Sequence, residues 1–159
     1  MNKTVFLYKL KMSTITTFRY VLALAFFIYG GAKIYPGQFS TGDFVFDSTK
    51  DSAMQLAWHF FGYSDIYNLF IAGGEITAAL LLLIPRTATL GNIIYLPITV
   101  NITILDYCFN IPALFISSLL TFMSVSLLLF EYRKLKMIFF NYPPIVKKEM
   151  SHHKKVNIL

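Results

Sequence analysis

The sequence predicts an all-α polytopic membrane protein, an antiparallel four-transmembrane-helix bundle with an external aromatic loop carrying a short interfacial helix. Three observations predict it. The 159-residue chain is 56% hydrophobic, with a mean hydropathy of +0.59, well above the roughly 45–50% apolar share of soluble domains. Its apolar residues gather into runs close to the roughly 20 residues needed to cross a ~30 Å hydrocarbon core. Its basic residues flank those runs instead of interrupting them. Hydrocarbon offers the backbone no hydrogen-bond partners, so each spanning run must be helical.

In order, the spans are expected at about 18–35, 66–84, 89–110 and 113–130, within a single domain over residues 1–132. Pro85 and Arg86 make a tight turn between the second and third. Residues 133–159 form a basic tail, broken by Pro143–Pro144 and expected to rest on anionic lipid. Lys3, Lys9, Lys11 and Arg19 precede or open the first span, and Arg133, Lys134, Lys136, Lys147, Lys148, Lys154 and Lys155 follow the last. The long first loop contributes only Lys33, at its edge, and Lys50, against Asp43, Asp47, Asp51 and Asp65. By the positive-inside rule both termini lie in the cytoplasm of a plasma-membrane protein and the loop lies outside. Membrane topology therefore accounts for the net charge of +6 better than a nucleic-acid surface does. A cleaved leader competes for the first span, because Gly30 and Ala32 suit the small-residue rule. The helical pattern joining Arg19 to Lys33 argues for a retained span.

The loop from Pro36 to Asp65 is rich in aromatics: Phe39, Phe44, Phe46, Trp58, Phe60, Phe61 and Tyr63. Ser48 is the expected cap of a short helix carrying Met54, Leu56, Ala57, Trp58 and Phe61, ended by Gly62. That helix is too short to span and suits the outer interface or a lid on the bundle. The single cysteine, Cys108, excludes an internal disulfide and a CxxC pair. It is expected to be a buried, inert thiol.

Within the spans, polar and small residues recur at steps of three, four and seven, so they share a face. The first seam is Arg19, Ala23, Phe26, Gly30 and Lys33; the second is Asn68, Ala72, Glu75 and Ala79. The third is Asn92, Thr99 and Asp106; the fourth is Ser117, Thr121 and Ser124. Small residues let helices approach and hydroxyls bond across them, so the seams are expected to meet inside the bundle. Glu75 stands at the centre of the run Ile66–Ile84. A carboxyl at that depth costs a few kcal/mol unless it is protonated or paired. Lys33 and Asp106 both lie near the external end, where an ion pair between them is reasonable. Glu75 lies roughly 14 Å inward. Lys33 can snorkel outward or reach down to Glu75, but it does not serve both acids fully. Lys33, Glu75, Asp106 and Asn68 are the candidate buried polar site, read either as a proton-handling or ligand-polarising centre or as a clasp that sets helix register. Arg19, Asn92, Thr99, Asn101 and His59 are secondary candidates, His59 being first of all an interfacial side chain. His152 and His153 stand too isolated for a metal site. Pro97 frees the Ile93 carbonyl and should kink the third span.

Three stretches resemble the DoxX-like family of small membrane proteins. They are RYVLALAFFIYGGAKIYP (Arg19–Pro36), FGYSDIYNLFIAGGEITAALLLLIPRTATLGN (Phe61–Asn92) and NITILDYCFNIP (Asn101–Pro112). The resemblance implies a four-helix membrane protein and, from some relatives, association with quinone- or thiol-linked redox systems. Other four-helix relatives help membrane proteins assemble. No catalytic residues carry over, and the chain shows no complete catalytic motif of its own. The leading expectation is a non-catalytic accessory or scaffold subunit of a membrane redox system, with a quinone as the cofactor that Glu75, Asn68 and the aromatic loop could hold and homo-oligomerisation open to it. The alternatives are a small proton-coupled carrier acting through Glu75, and an assembly factor docking a client helix on Gly73–Gly74.

Overall fold

The computed structural model describes residues 2–140, all of whose regular structure is helical. The Pro143–Pro144 break, the lysines beyond it and His152–His153 lie outside the described residues. The helices are α1 (Lys3–Ile34), α2 (Ala53–Gly62), α3 (Asp65–Leu83), α4 (Ala88–Cys108), α5 (Leu114–Phe130) and α6 (Tyr132–Phe140). Helices α1, α3 and α4 are long and apolar enough to cross a membrane. Helix α5 is apolar over 17 residues, about 26 Å at 1.5 Å per residue.

Helix α1 starts some fifteen residues before the expected span. Lysines at 3, 9 and 11 stop insertion into hydrocarbon, but nothing between Lys3 and Ile34 stops a helix. The Asn2 side chain caps it by accepting from the Thr4 amide. At 32 residues the helix is about 48 Å long, longer than the hydrocarbon core, and its first turns are exposed on every side.

Chain direction follows from the contacts. The end of α1 meets the start of α3 (Lys33 with Asn68) while Arg19 meets Leu82, so these two helices run oppositely. Thr89 meets Glu131 and Thr103 meets Thr121, so α4 and α5 do the same. One buried core unites them: Leu22, Ala23 and Phe26 from α1, Ala78, Ala79 and Leu82 from α3, Tyr95 from α4, and Leu120, Met123 and Leu127 from α5. Leu24, Ile28, Leu80, Ile104, Phe115, Phe122 and Leu129 point outward, the inverse of a soluble surface and the arrangement lipid favours.

Two glycines set the helix spacing. A Cβ on Gly91 would stand 2.7 Å from the Leu82 amide nitrogen, and one on Gly30 would stand 2.9 Å from Ile76 Cγ1 and 3.2 Å from the Ala72 carbonyl. Helices α4 and α1 therefore approach α3 more closely than any side chain allows. Hydrogen bonds then lock α4 to α5. Asn92 Nδ2 donates to the Ser124 carbonyl at 2.9 Å and Ser124 Oγ donates to Asn92 Oδ1 at 2.7 Å, while Thr121 Oγ1 bonds the Thr99 and Thr103 hydroxyls at 3.2 and 2.8 Å. A double-mutant cycle of Asn92→Ala and Ser124→Ala, read by unfolding in detergent, is expected to give a coupling of about 0.5–1.7 kcal/mol. Simple additivity would mean that the pair does not hold α4 to α5.

The 35–64 segment folds over one end. The helix in it is capped by Ser52, four residues later than the expected Ser48. Ser52 and Gln55 form a reciprocal capping box, with the Gln55 amide on Ser52 Oγ at 3.2 Å and the Ser52 amide on Gln55 Oε1 at 2.7 Å. A Ser with Gln three residues on satisfies two orphan amides at once; Asp51, three residues after Ser48, instead accepts from the Asp47 amide at 2.8 Å. Just before it, Asp47 accepts from the Thr49 hydroxyl and amide and pairs with Lys50. Those contacts hold its carboxyl below the usual range, the Thr49 hydroxyl contributing most.

Candidate functional site

Lys33 and Glu75 form the most buried ion pair of the described residues. The ammonium lies 3.0 and 2.9 Å from the two carboxylate oxygens, and the side chains are 6% and 0% exposed. Side chains lean toward the N-terminus of their own helix. That tilt sends Lys33, near the end of α1, inward, and sends Glu75 of α3 toward the loop end, so the two meet. Of the two acids open to it, Lys33 pairs with Glu75: the lysine reaches down instead of snorkelling out. Its remaining contacts are the Tyr29 carbonyl at 3.5 Å and the face of Phe39, 5.7 Å to the ring centroid. Asn68 Nδ2 donates to the Lys33 carbonyl at 2.9 Å, tying off the last turn of α1.

Beside the pair lies a cavity of about 520 Å³, within the roughly 300–1,000 Å³ common for small-molecule sites. Lys33, Glu75 and Asp106 all line it. Phe26 and Tyr29 wall it from α1, Ile98 and Ile102 from α4, and Ser117 and Leu120 from α5. Its roof is aromatic: Phe39 stacks on Phe61 at 5.2 Å and meets Trp58 edge-on at 5.7 Å. The α2 helix is thus a lid. Phe70, Pro97 and Asn101 line the cavity and are also exposed, so it opens sideways between α3 and α4. Pro97 sits within α4, which continues through it.

The secondary candidates separate. Thr99 lines the cavity and Asn101 stands at its mouth. Arg19 works at the opposite end, donating to the Leu82 carbonyl at 3.0 and 2.8 Å and to Leu83 at 3.2 Å. There a cation meets the negative end of the α3 dipole. Asn92 belongs to the α4–α5 lock. His59 stacks on Phe44 at 3.9 Å and is not part of the cavity wall. Cys108 is exposed, against the expectation of a buried thiol, because it closes α4 on the helix face turned away from Asp106.

Several participants were absent from the sequence reading. Glu131 is buried, accepting from Thr89 Oγ1 at 2.8 Å and from Lys134 at 2.8 Å; its place beside a basic run gives no sign of this. Tyr95 stacks face to face on Phe26, with ring centroids 3.6 Å apart. It falls between Asn92 and Thr99 on the same helix face, a signal that was available. Gln38 carried no signal. Among the described residues, buried side-chain atoms without a hydrogen-bond partner are Gln38 Oε1, Asn68 Oδ1, Tyr95 Oη and Asp106 Oδ2. Two of these residues, Gln38 and Asp106, line the cavity.

Three helices long and apolar enough to cross a membrane, packed around a buried ion pair with a cavity beside it, mark the chain as a membrane protein. No family model matches the chain, and no solved structure matches it. It is 48% identical over 123 residues to the uncharacterized protein YwoB of Bacillus subtilis (strain 168), a match covering 77% of this chain and 80% of that protein. The chain belongs to the family of YwoB.

Proposed function

We propose that this protein is a DoxX-like, four-span antiparallel bundle of the bacterial plasma membrane, acting as a non-catalytic accessory subunit of a membrane redox system. Its cavity receives the ring of an amphiphilic cofactor, a quinone being the class that fits. The observation that carries this reading is the cavity itself: aromatic walls, a sideways opening among lipid-facing helices, and a polar floor at Lys33–Glu75. A flat ring enters such a slot from the bilayer, and a few placed polar groups orient it. Helix α5 is the fourth span, both termini are cytoplasmic, and α2 lies at the outer face. The basic residues of α1 and α6 at the opposite end support that orientation.

Purification of the tagged protein from its native membrane in mild detergent tests the reading, with solvent extraction, mass spectrometry and an absorbance spectrum. A stoichiometric oxidoreductase partner together with an extracted quinone is the expected result. A partner-free preparation with no extractable ring compound would refute it. A second reading, a small proton-coupled carrier, is supported by a buried ion pair that faces an open cavity. It requires that Glu75→Gln abolish uptake of the carried solute while the protein still accumulates.

A further inference from the structure

We propose that the cavity selects a ring that carries hydrogen-bond donors, a hydroquinone or similar phenolic head, over the corresponding oxidised ring that can only accept. This inference rests on the accessory-subunit reading and names which redox form the site holds.

The argument begins with the carboxylates. Lys33 directs its hydrogen bonds to both oxygens of Glu75 and to the Tyr29 carbonyl, which uses all three ammonium protons. It has none to spare for a ligand carbonyl. Asp106 is 5% exposed, lines the cavity, and its Oδ2 has no partner. A buried acceptor left unmade costs the desolvation of that group, and more when the group is ionised. With the Asp106 carboxylate ionised, and so able only to accept, a hydroxyl on the ligand repairs that deficit; a quinone carbonyl, which is itself an acceptor, adds to it. Gln38 does not discriminate, because its amide can turn to accept or donate. A cationic ligand would also satisfy Asp106. However, the Lys33 ammonium already lies over the Phe39 ring, the aromatic face on which a second cation would stack. A neutral ring with hydroxyl groups meets every condition: flat walls, a sideways entry from lipid, and an acceptor awaiting a proton.

The test is anaerobic titration calorimetry of the purified full-length protein in detergent. The probes are a short-chain benzoquinone, the same compound reduced to its hydroquinone, and tetraphenylphosphonium as a lipophilic cation. The expected result is that the hydroquinone binds about tenfold more tightly or better, the scale of a hydrogen bond to a charged group. In Asp106→Asn the preference should collapse, since an amide serves either form. In Gln38→Leu both affinities should fall alike with the preference kept. The wild-type comparison decides the matter even if Asp106→Asn fails to accumulate. Equal affinity, or tighter binding of the quinone, overturns this inference while the accessory-subunit reading stands. Binding of neither ring overturns both. Binding of the phosphonium in place of the rings overturns both as well and brings the carrier forward.

Discussion

Glu75→Ala is expected to be the most damaging single substitution in the chain, lowering stability by about 3–5 kcal/mol, the usual cost of stranding one partner of a buried pair. The alanine leaves the Lys33 ammonium at 6% exposure without the carboxylate it pairs with. Asp106 has not paired with Lys33 even though both line the cavity. The complementary result separates a pair from a mere polar residue. Lys33→Met combined with Glu75→Leu removes both charges and fills similar volume, so the double variant should unfold close to wild type or above it. Unfolding in detergent, followed by circular dichroism, measures both. If the double variant is as unstable as Glu75→Ala, the charges are not what the site conserves energetically, and packing around Gly30 is. Ligand binding in the stable double variant then reports what the charges do beyond stability: on the accessory-subunit reading, cofactor retention is lost while the fold survives.

The second large effect is expected at Gly91. Its absent Cβ faces backbone: the Leu82 nitrogen at 2.7 Å and the Leu81 carbonyl carbon at 2.9 Å. Backbone cannot turn aside as a side-chain tip does, so Gly91→Ala must push α4 off α3, at about 1–3 kcal/mol for overpacking. The displacement also acts along α4 on Asn92, whose lock to Ser124 depends on the next residue in line. Gly73 is the control, because a Cβ there meets nothing within 4 Å. Gly73→Ala should match wild type or gain slightly, since alanine is the better helix former by about 0.5–1 kcal/mol. Equal thermal midpoints for the two variants would show that the close approach of α4 to α3 carries no stability.

The seams were readable because helical periodicity is a local property. Ala23, Phe26, Gly30 and Lys33 on α1, Ala72, Glu75 and Ala79 on α3, and Asn92, Thr99 and Asp106 on α4 are all buried. Any residue pattern repeating at three and four marks one face, whatever that face meets. The start of α1 was not legible because hydropathy reports where a helix can enter lipid and says nothing of where helix geometry begins. The cap of α2 was misplaced because Ser48 and Ser52 are equal as residues; only the position of Gln55 distinguishes them.

What the sequence by itself determined is the class: long apolar helices with outward leucines and phenylalanines, and an acid too deep to stand alone. Those follow from transfer energies and helical geometry, which need no neighbours. Only the tertiary structure decided the partners. Depth along a helix placed Lys33, Asp106 and Glu75 within plausible reach of one another. The choice of Glu75 came from the opposite lean of side chains on two oppositely running helices. The cavity, its aromatic lid and the unpartnered Asp106 oxygen exist only once α1, α3, α4, α5 and the 35–64 segment are brought together. A void has no sequence of its own; it is what packing leaves.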